Sequence, residues 1–405
     1  MKQQPLEDVK VVDFTHAAVG TILTRMLADY GATVVHVESG RRVDLMRLAR
    51  PFRDNIPGIN RALVFSNWNC GKYGITLDMN HPRGQEVAKR LIAWADALVE
   101  NFAPGVMEKW GLRYSDAVNI KPDIIVMRLS NQGQTGPHAR HPGYGVQTTA
   151  LSGFNLVTGW PDREPLSLWN GMYSDIVTSR LGAAVLMAAL DHRRRTGEGQ
   201  LLDVSMLECN INFLAPQILD YYVNGRDLAR VGNRCPYAAP HGAYPCRGND
   251  RWCVIAVFGN EEWRGFCKAI GSPQWTRELR FSTLLGRKEN EEELDRLVSG
   301  WTSRLPAEEV MAILQGAGVA AGVIKNIVDI CEDPQLAWRQ HFREVDHAEI
   351  GLHHCDSWSF KLSKVQSEPR WGGPCLGQDN EYVYTKLLGM SDDEFVSLLS
   401  DGVFE

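Results

Sequence analysis

The chain has 405 residues, 44% apolar and 23% charged, and its 43 basic and 49 acidic side chains give a net charge of −6. That length allows two or three domains around a large core. The acid excess excludes a general nucleic-acid binder, although a local basic patch could still hold a phosphate-bearing ligand.

No apolar run approaches the ~18 residues of a membrane span. The opening MKQQPLEDVKVVDF runs straight into a strand-like segment without the apolar stretch of a signal peptide, so a cytoplasmic protein with no membrane partner is expected. The nine cysteines (Cys70, Cys209, Cys235, Cys246, Cys253, Cys267, Cys331, Cys355 and Cys375) are odd in number, irregularly spaced and contain no C-x-x-C. Reduced thiols are expected, not a disulfide framework or a metal site.

In chain order, VKVVDF (Val9–Phe14) reads as a strand, and TILTRMLADYG (Thr21–Gly31) has helical apolar spacing ending on a glycine stop. Strands follow at Ala32–Glu38, Asp96–Phe102 and Asp123–Ser130, with a helix over Gly84–Ala95. A long helix from about Ser174 stops near Arg193–Gly199 and leads into a strand over Gln200–Met206. A further helix runs through ECNINFLAPQILDYYVNG and ends at Gly225. This βαβ alternation predicts a parallel sheet with helices on both faces.

Character changes near Gly225, where a loop carrying Pro236, Pro240 and Pro245 leads to the strand Trp252–Phe258 and several amphipathic helices. We read 225–330 as a smaller α/β domain. Residues 1–224 and 331–405 then form one discontinuous, Rossmann-like domain. The tail carries short strands at REVDHAEI and WSFKLS and a last helix, SDDEFVSLLS.

The segment VVDFTHAAVGTILTRMLADYGATVVHVE has the strand–loop–helix–strand order of a dinucleotide site, with Glu38 following Gly20. The G-x-G-x-x-G turn is missing, so the backbone cannot approach a pyrophosphate in that fold's usual way, and an NAD-dependent oxidoreductase is the weakest alternative. Lys72, in NCGKYGITLDM, is either a solvated turn lysine or a cation for a phosphate. In ENFAPGVMEKWGL a strand ends at Asn101 and Phe102 and Pro104-Gly105 turns the chain into a helix carrying Lys109. Either this is only a tight turn, or its amide, ring and free N–H groups face a ligand at the carboxyl edge of a sheet. Asp175, in WNGMYSDIVTSRLG, is either a helix cap or a carboxylate nucleophile held at a helix N-terminus.

Six segments recur in a fixed order: VVDFTHAAVGT, LADYGATVVHVE, NCGKYGITLDM, VENFAPG, the Asp175 helix followed by RRRTGEGQLLDVSM, and GPCLGQDNEYV. Together, over nearly the whole chain, they resemble the class III CoA-transferases, the family of formyl-CoA transferase and carnitine CoA-transferase, which also includes the α-methylacyl-CoA racemases.

The resemblance implies that Asp175 is the transferase nucleophile and that Lys72, Asn101 and Phe102 belong to the CoA site. His16, Ala17, Ala18 and Val19 match the first-strand loop against CoA, and Lys109 stands where a transferase arginine contacts it. Met206 matches a methionine near the thioester. Tyr144 matches a site tyrosine, but the lysine before it is replaced by Pro142, with Arg140 nearby as a substitute. The glycine-rich loop of formyl-CoA transferase is absent, and CPYAAPHGAYPC occupies its part of the chain.

The racemases pair the aspartate with a histidine in a segment resembling G-H-D-I-x-Y-x-A-L-S-G. Here PGYGVQTTALSG puts Tyr144 in that histidine's place. A tyrosine with a solution pKa near ~10 is poorly suited to two-base proton exchange, so transferase outranks racemase. The resemblance further implies CoA, carried as acyl-CoA substrate, with no metal. It also implies an interlocked dimer, either homodimeric or paired with a homologous subunit. Trp68, Trp169 and Tyr173 are either core aromatics or the wall of a pocket for a bulky acceptor. Succinyl-CoA as donor and an aromatic dicarboxylate such as benzylsuccinate as acceptor are the expectation, with a carnitine-like or other small acid as the open alternative.

Overall fold

The computed structural model describes residues 4–168 and 172–405. The chain divides into two compact units. One comprises Met1–Asn155, Ser167–Asp227 and Ala337–Glu405, and the other Leu156–Leu166 with Leu228–Leu336.

The first unit is built on β1 (Lys10–Phe14), α1 (Val19–Asp29), β2 (Thr33–Glu38), α2 (Leu63–Trp68), β3 (Tyr73–Thr76), α3 (Pro82–Trp94), β4 (Ala97–Glu100), α4 (Val106–Lys109), α5 (Tyr114–Ile120) and β5 (Ile125–Ser130). It continues through α6 (Gly145–Leu151), the start of α7 (Phe154–Val157, whose last two residues fall in the second unit), α8 (Tyr173–Thr196), β6 (Leu201–Ser205), α9 (Met206–Ile211) and α10 (Ala215–Asn224). The six strands form one parallel sheet in the order β3-β2-β1-β4-β5-β6. Apolar residues fill both faces of its central strands, as a sheet covered by helices on each side requires. Val12, Val35, Leu98 and Val126 pack on one face with α3 and α5. Val11, Val34, Val99 and Met127 pack on the other with α1 and α8.

α1 and α8 approach closely because Gly182 carries no side chain: a Cβ there would lie 2.7 Å from Leu23 Cδ1. The 24-residue α8 ends at Gly197, whose φ of 78° accepts the left-handed stop. Arg193 in its last turn pairs with Asp96 at 3.0 Å and also with Asp123, fastening that end to the amino edge of the sheet.

Two sequence expectations are corrected. The helix expected through 208–224 is interrupted at 212–214, because Pro216 offers no N–H and its ring clashes with the preceding turn. The strand expected at WSFKLS lies earlier, at His353–Asp356, antiparallel to Phe342–Val345. Trp358 is instead turned inward, its indole N–H donating to Asp29 Oδ2 at 2.8 Å.

In the second unit, β7 (His241–Pro245), β8 (Trp252–Ala256) and a third strand, Ala320–Ile324, form an antiparallel sheet. Its core holds Trp263, Phe266, Phe281, Leu294 and Val298. Among the described residues no helix is long and apolar enough to cross a membrane.

Candidate active site

The strand order reverses direction between β1 and β4. In an open parallel sheet the loops leaving two such strands diverge to opposite faces, and the crevice between them at the carboxyl edge is where ligands bind. The loop after β1 carries His16 to Val19, and the turn after β4 carries Asn101 and Phe102.

One side chain bridges the crevice. The Asn101 amide accepts from the His16 N–H at 2.8 Å and donates to the His16 carbonyl at 2.7 Å. Phe102 places its ring 5.3 Å from that of His16 and meets Trp110 edge-on at 5.3 Å. Ala17 sits at φ 61°, a left-handed conformation that costs a non-glycine residue free energy and persists only where its surroundings hold it. What holds it is buried Asp44, whose carboxylate accepts from the Ala17 N–H at 3.0 Å and from the Met46 N–H at 2.7 Å. Burial lowers the His16 imidazole below its usual range, with Asp44 opposing, so the ring is neutral near pH 7. Ala18 and Val19 are buried at the start of α1.

Lys72 differs from both of its sequence readings. It is fully buried, with its ammonium donating to Asp13 Oδ2 at 2.9 Å, the Thr21 carbonyl at 3.0 Å and Asn69 Oδ1 at 2.8 Å. All three donors are used, so none is free for a phosphate. Burial pushes the Asp13 carboxyl up, but Lys72 and His36 beside it pull it far below the usual carboxylate range. Lys72 therefore supports the first loop from beneath. Glu38 is likewise engaged, by buried Arg47 at 2.9 Å, and does not present itself to a ribose. Lys109 stands exposed at the end of α4, one residue before Trp110.

A second group forms where α6 and α8 begin. Asp175 lies in the first turn of α8, where the helix dipole favours an anion. Its carboxylate rests against the backbone of Gly145: a Cβ at that position would overlap Asp175 Oδ2 and come within 2.8 Å of Cγ. Ser174 Oγ donates to the Gly145 carbonyl at 2.9 Å, and Thr149 Oγ1 donates to the same oxygen at 2.8 Å. Burial pushes Asp175 up to about 7, and only its own backbone N–H opposes.

Tyr144 precedes Gly145 and is 63% exposed. Met206 is buried in the core with Leu186 and Leu129 as α9 begins. Tyr173 packs on Phe154 with ring centroids 4.8 Å apart. Trp68, partly buried, packs against the apolar cluster of Ala18, Ile22, Tyr30 and Trp358, and Trp169 lies outside the described residues. Met172 and Ile176 of the Asp175 segment pack against the same apolar cluster, whose members include Ala18 and Ile22 of the first loop and helix.

Gly145, Ser174 and Asp44 were not singled out in the sequence. The one local signal for a close approach at Gly145 is the Gly143-Tyr144-Gly145 run. Among the described residues no cluster of three or more His, Cys, Asp or Glu side chains is arranged to hold a metal.

Comparison with known proteins sets these residues in context. The model of CoA-transferase family III matches residues 6–380. The chain is similar to the succinyl-CoA–D-citramalate CoA-transferase of Chloroflexus aurantiacus, 32% identical over 98% of this chain and 97% of that protein. It is also similar to the beta subunit of the succinyl-CoA–L-malate CoA-transferase of the same organism, 27% identical over 98% of each. Among solved structures, a CAIB/BAIF family protein from Brucella suis superimposes with a TM-score of 0.87 at 30% identity, covering 95% of this chain and 100% of that one.

Proposed function

We propose, for a chain that belongs to CoA-transferase family III, that Asp175 carries the acyl group and then CoA between two carboxylic acids. The carboxylate oxygen attacks the thioester carbonyl of the donor acyl-CoA. A C–O bond forms, the C–S bond breaks, and CoA leaves as a thiolate with the electron pair, giving an acyl-aspartyl anhydride. The thiolate then attacks Asp175 Cγ, which releases the donor acid as a carboxylate and leaves an aspartyl-CoA thioester. The acceptor carboxylate attacks that thioester to form a second anhydride and free the thiolate. Attack of the thiolate on the acceptor's carbonyl yields the new acyl-CoA and restores Asp175. No net proton is exchanged, and because one thioester is consumed for each one formed the exchange runs reversibly without ATP.

One observation supports this reading above the others: among the described residues, Asp175 is a largely buried carboxylate with no side-chain partner. Buried charges are ordinarily paired or well hydrogen-bonded. Here Asp13 has Lys72, Glu38 has Arg47, Asp29 has Arg25 at 3.3 Å, and Glu100 has Arg128 at 3.3 Å. An unpaired, weakly solvated carboxylate is a stronger nucleophile than a bridged one. The isomerase reading would need a titratable partner across the substrate, and Tyr144, exposed at 63%, does not fill that role.

The CoA moiety we assign to the β1–β4 crevice, with His16, Ala17, Ala18, Val19, Asn101 and Phe102 at its wall, Lys109 as the accessible cation and Tyr144 and Met206 toward the thioester. Lys72 contributes to that site from beneath. For the acids, the two named relatives both use succinyl-CoA and a dicarboxylate acceptor. Succinyl-CoA as donor and a dicarboxylate as acceptor follow as the proposal here, with benzylsuccinate its aromatic member, Tyr173 and Phe154 supplying aromatic surface beside Asp175. A cytoplasmic interlocked dimer, either of identical chains or with a homologous subunit, completes the proposal, with this chain as the catalytic one. Screening acyl-CoA donors against succinate, malate, citramalate and benzylsuccinate tests the substrates. Absence of transfer to every dicarboxylate would refute them. A stable monomer in size-exclusion chromatography would refute the assembly.

A further inference from the structure

The geometry points to Gly145 as the positioning residue that sets the orientation of the Asp175 carboxylate, with Ser174 holding the two segments in register. The inference rests on Asp175 being the nucleophile and adds what fixes it in place. Among the described residues eighteen glycines sit at a positive φ, and Gly145 is not one of them. Its role is one of space. A Cβ here would overlap Asp175 Oδ2, approach Cγ at 2.8 Å and reach Ser174 Oγ at 2.9 Å.

Of those atoms, Ser174 Oγ cannot retreat without loss. Ser174 is fully buried, and its hydroxyl is committed to the Gly145 carbonyl at 2.9 Å. Thr149, also buried, donates to that carbonyl at 2.8 Å and lies 3.3 Å from Ser174 Oγ. The start of α6 is thereby tied to the start of α8 one residue away from the nucleophile. The only group free to move is the carboxylate itself, which has no side-chain partner among the described residues. A methyl at 145 would turn it away from its present seat, into a different rotamer and a different exposure.

The test is Gly145→Ala, with Ser174→Ala and Asp175→Asn measured beside it in the full-length enzyme. For Gly145→Ala, kcat should fall about 100-fold, as a displacement near 1 Å of a reacting group does. CoA binding, measured by calorimetry with CoA alone, should stay within about twofold, since the loss is confined to the transition state. The acidic limb of the residual rate profile should also move below the wild-type limb as the carboxylate gains water, with the cooperative unfolding transition unchanged, which a general loosening of the fold would not leave intact. Turnover by folded Gly145→Ala within about threefold of wild type would overturn the inference. Should that variant fail to fold, Ser174→Ala decides: it releases one of two bonds on the Gly145 carbonyl, and kcat should drop about tenfold at unchanged CoA affinity. An unchanged kcat would reject the positioning role. If Asp175→Asn itself keeps wild-type turnover, the nucleophile assignment fails first and the inference falls with it.

Discussion

Asn101 holds the His16 peptide from both sides, accepting its N–H at 2.8 Å and donating to its carbonyl at 2.7 Å. The contact spans the point where the sheet reverses order, so one amide fixes the width of the crevice. Replacing Asn101 with Ala removes both bonds at about 1 kcal/mol each. CoA affinity should weaken roughly tenfold, with a stability loss of about 1–2 kcal/mol. Calorimetric titration with CoA checks it, and unchanged affinity would detach this crevice from CoA.

Lys72→Met separates a structural lysine from a ligand lysine. Loss of the ammonium strands Asp13, a fully buried carboxylate, and breaking such a pair costs about 3–5 kcal/mol. Denaturant unfolding should show that loss. A surface phosphate contact would instead leave stability intact and weaken only CoA binding.

How far the sequence could be read depends on the kind of signal. Strands β1, β2 and β5 were legible because burial on both faces leaves near-continuous apolar runs, Val11-Val12 and Val34-Val35 among them. The long helix was legible from about Ser174 to a stop near Arg193–Gly199, and the structure places its left-handed cap at Gly197. What could not be read were pairings between distant positions. Lys72 looked like any turn lysine, since nothing local reveals Asp13 beneath it, 59 positions earlier. Gly145 carries no side chain to announce a role, and only the fold brings Asp175 against it. Asp44 supports Ala17 across 27 positions, which no periodicity encodes.

Asp175→Asn should make the protein more stable, by an amount that depends on pH. Burial raises the folded carboxyl from 3.8 to about 7, so the folded state binds the proton more tightly than the unfolded chain does. Wild-type stability is therefore fullest below the unfolded value and declines as pH rises from about 4 to about 7, then levels off. The amide does not ionise. Its advantage should grow over that window to roughly 2–4 kcal/mol. Unfolding free energies of both proteins at either end of the window measure it, and a constant difference would contradict the buried-carboxylate account.

The same carboxylate predicts the rate profile. Only the anion attacks a thioester, so kcat/KM should rise with pH along an acidic limb centred at about 7. A limb near the ordinary aspartate range would mean that the free enzyme solvates Asp175 more fully than its place against Gly145 allows.

The most direct test of the covalent role of Asp175 is trapping on that side chain. The enzyme is incubated with an isotope-labelled acyl-CoA, quenched with hydroxylamine, digested and analysed by mass spectrometry. The account predicts a hydroxamate on the peptide containing Asp175, dependent on the acyl-CoA and absent from Asp175→Ala. An unmodified Asp175 peptide from enzyme that is turning over would contradict it.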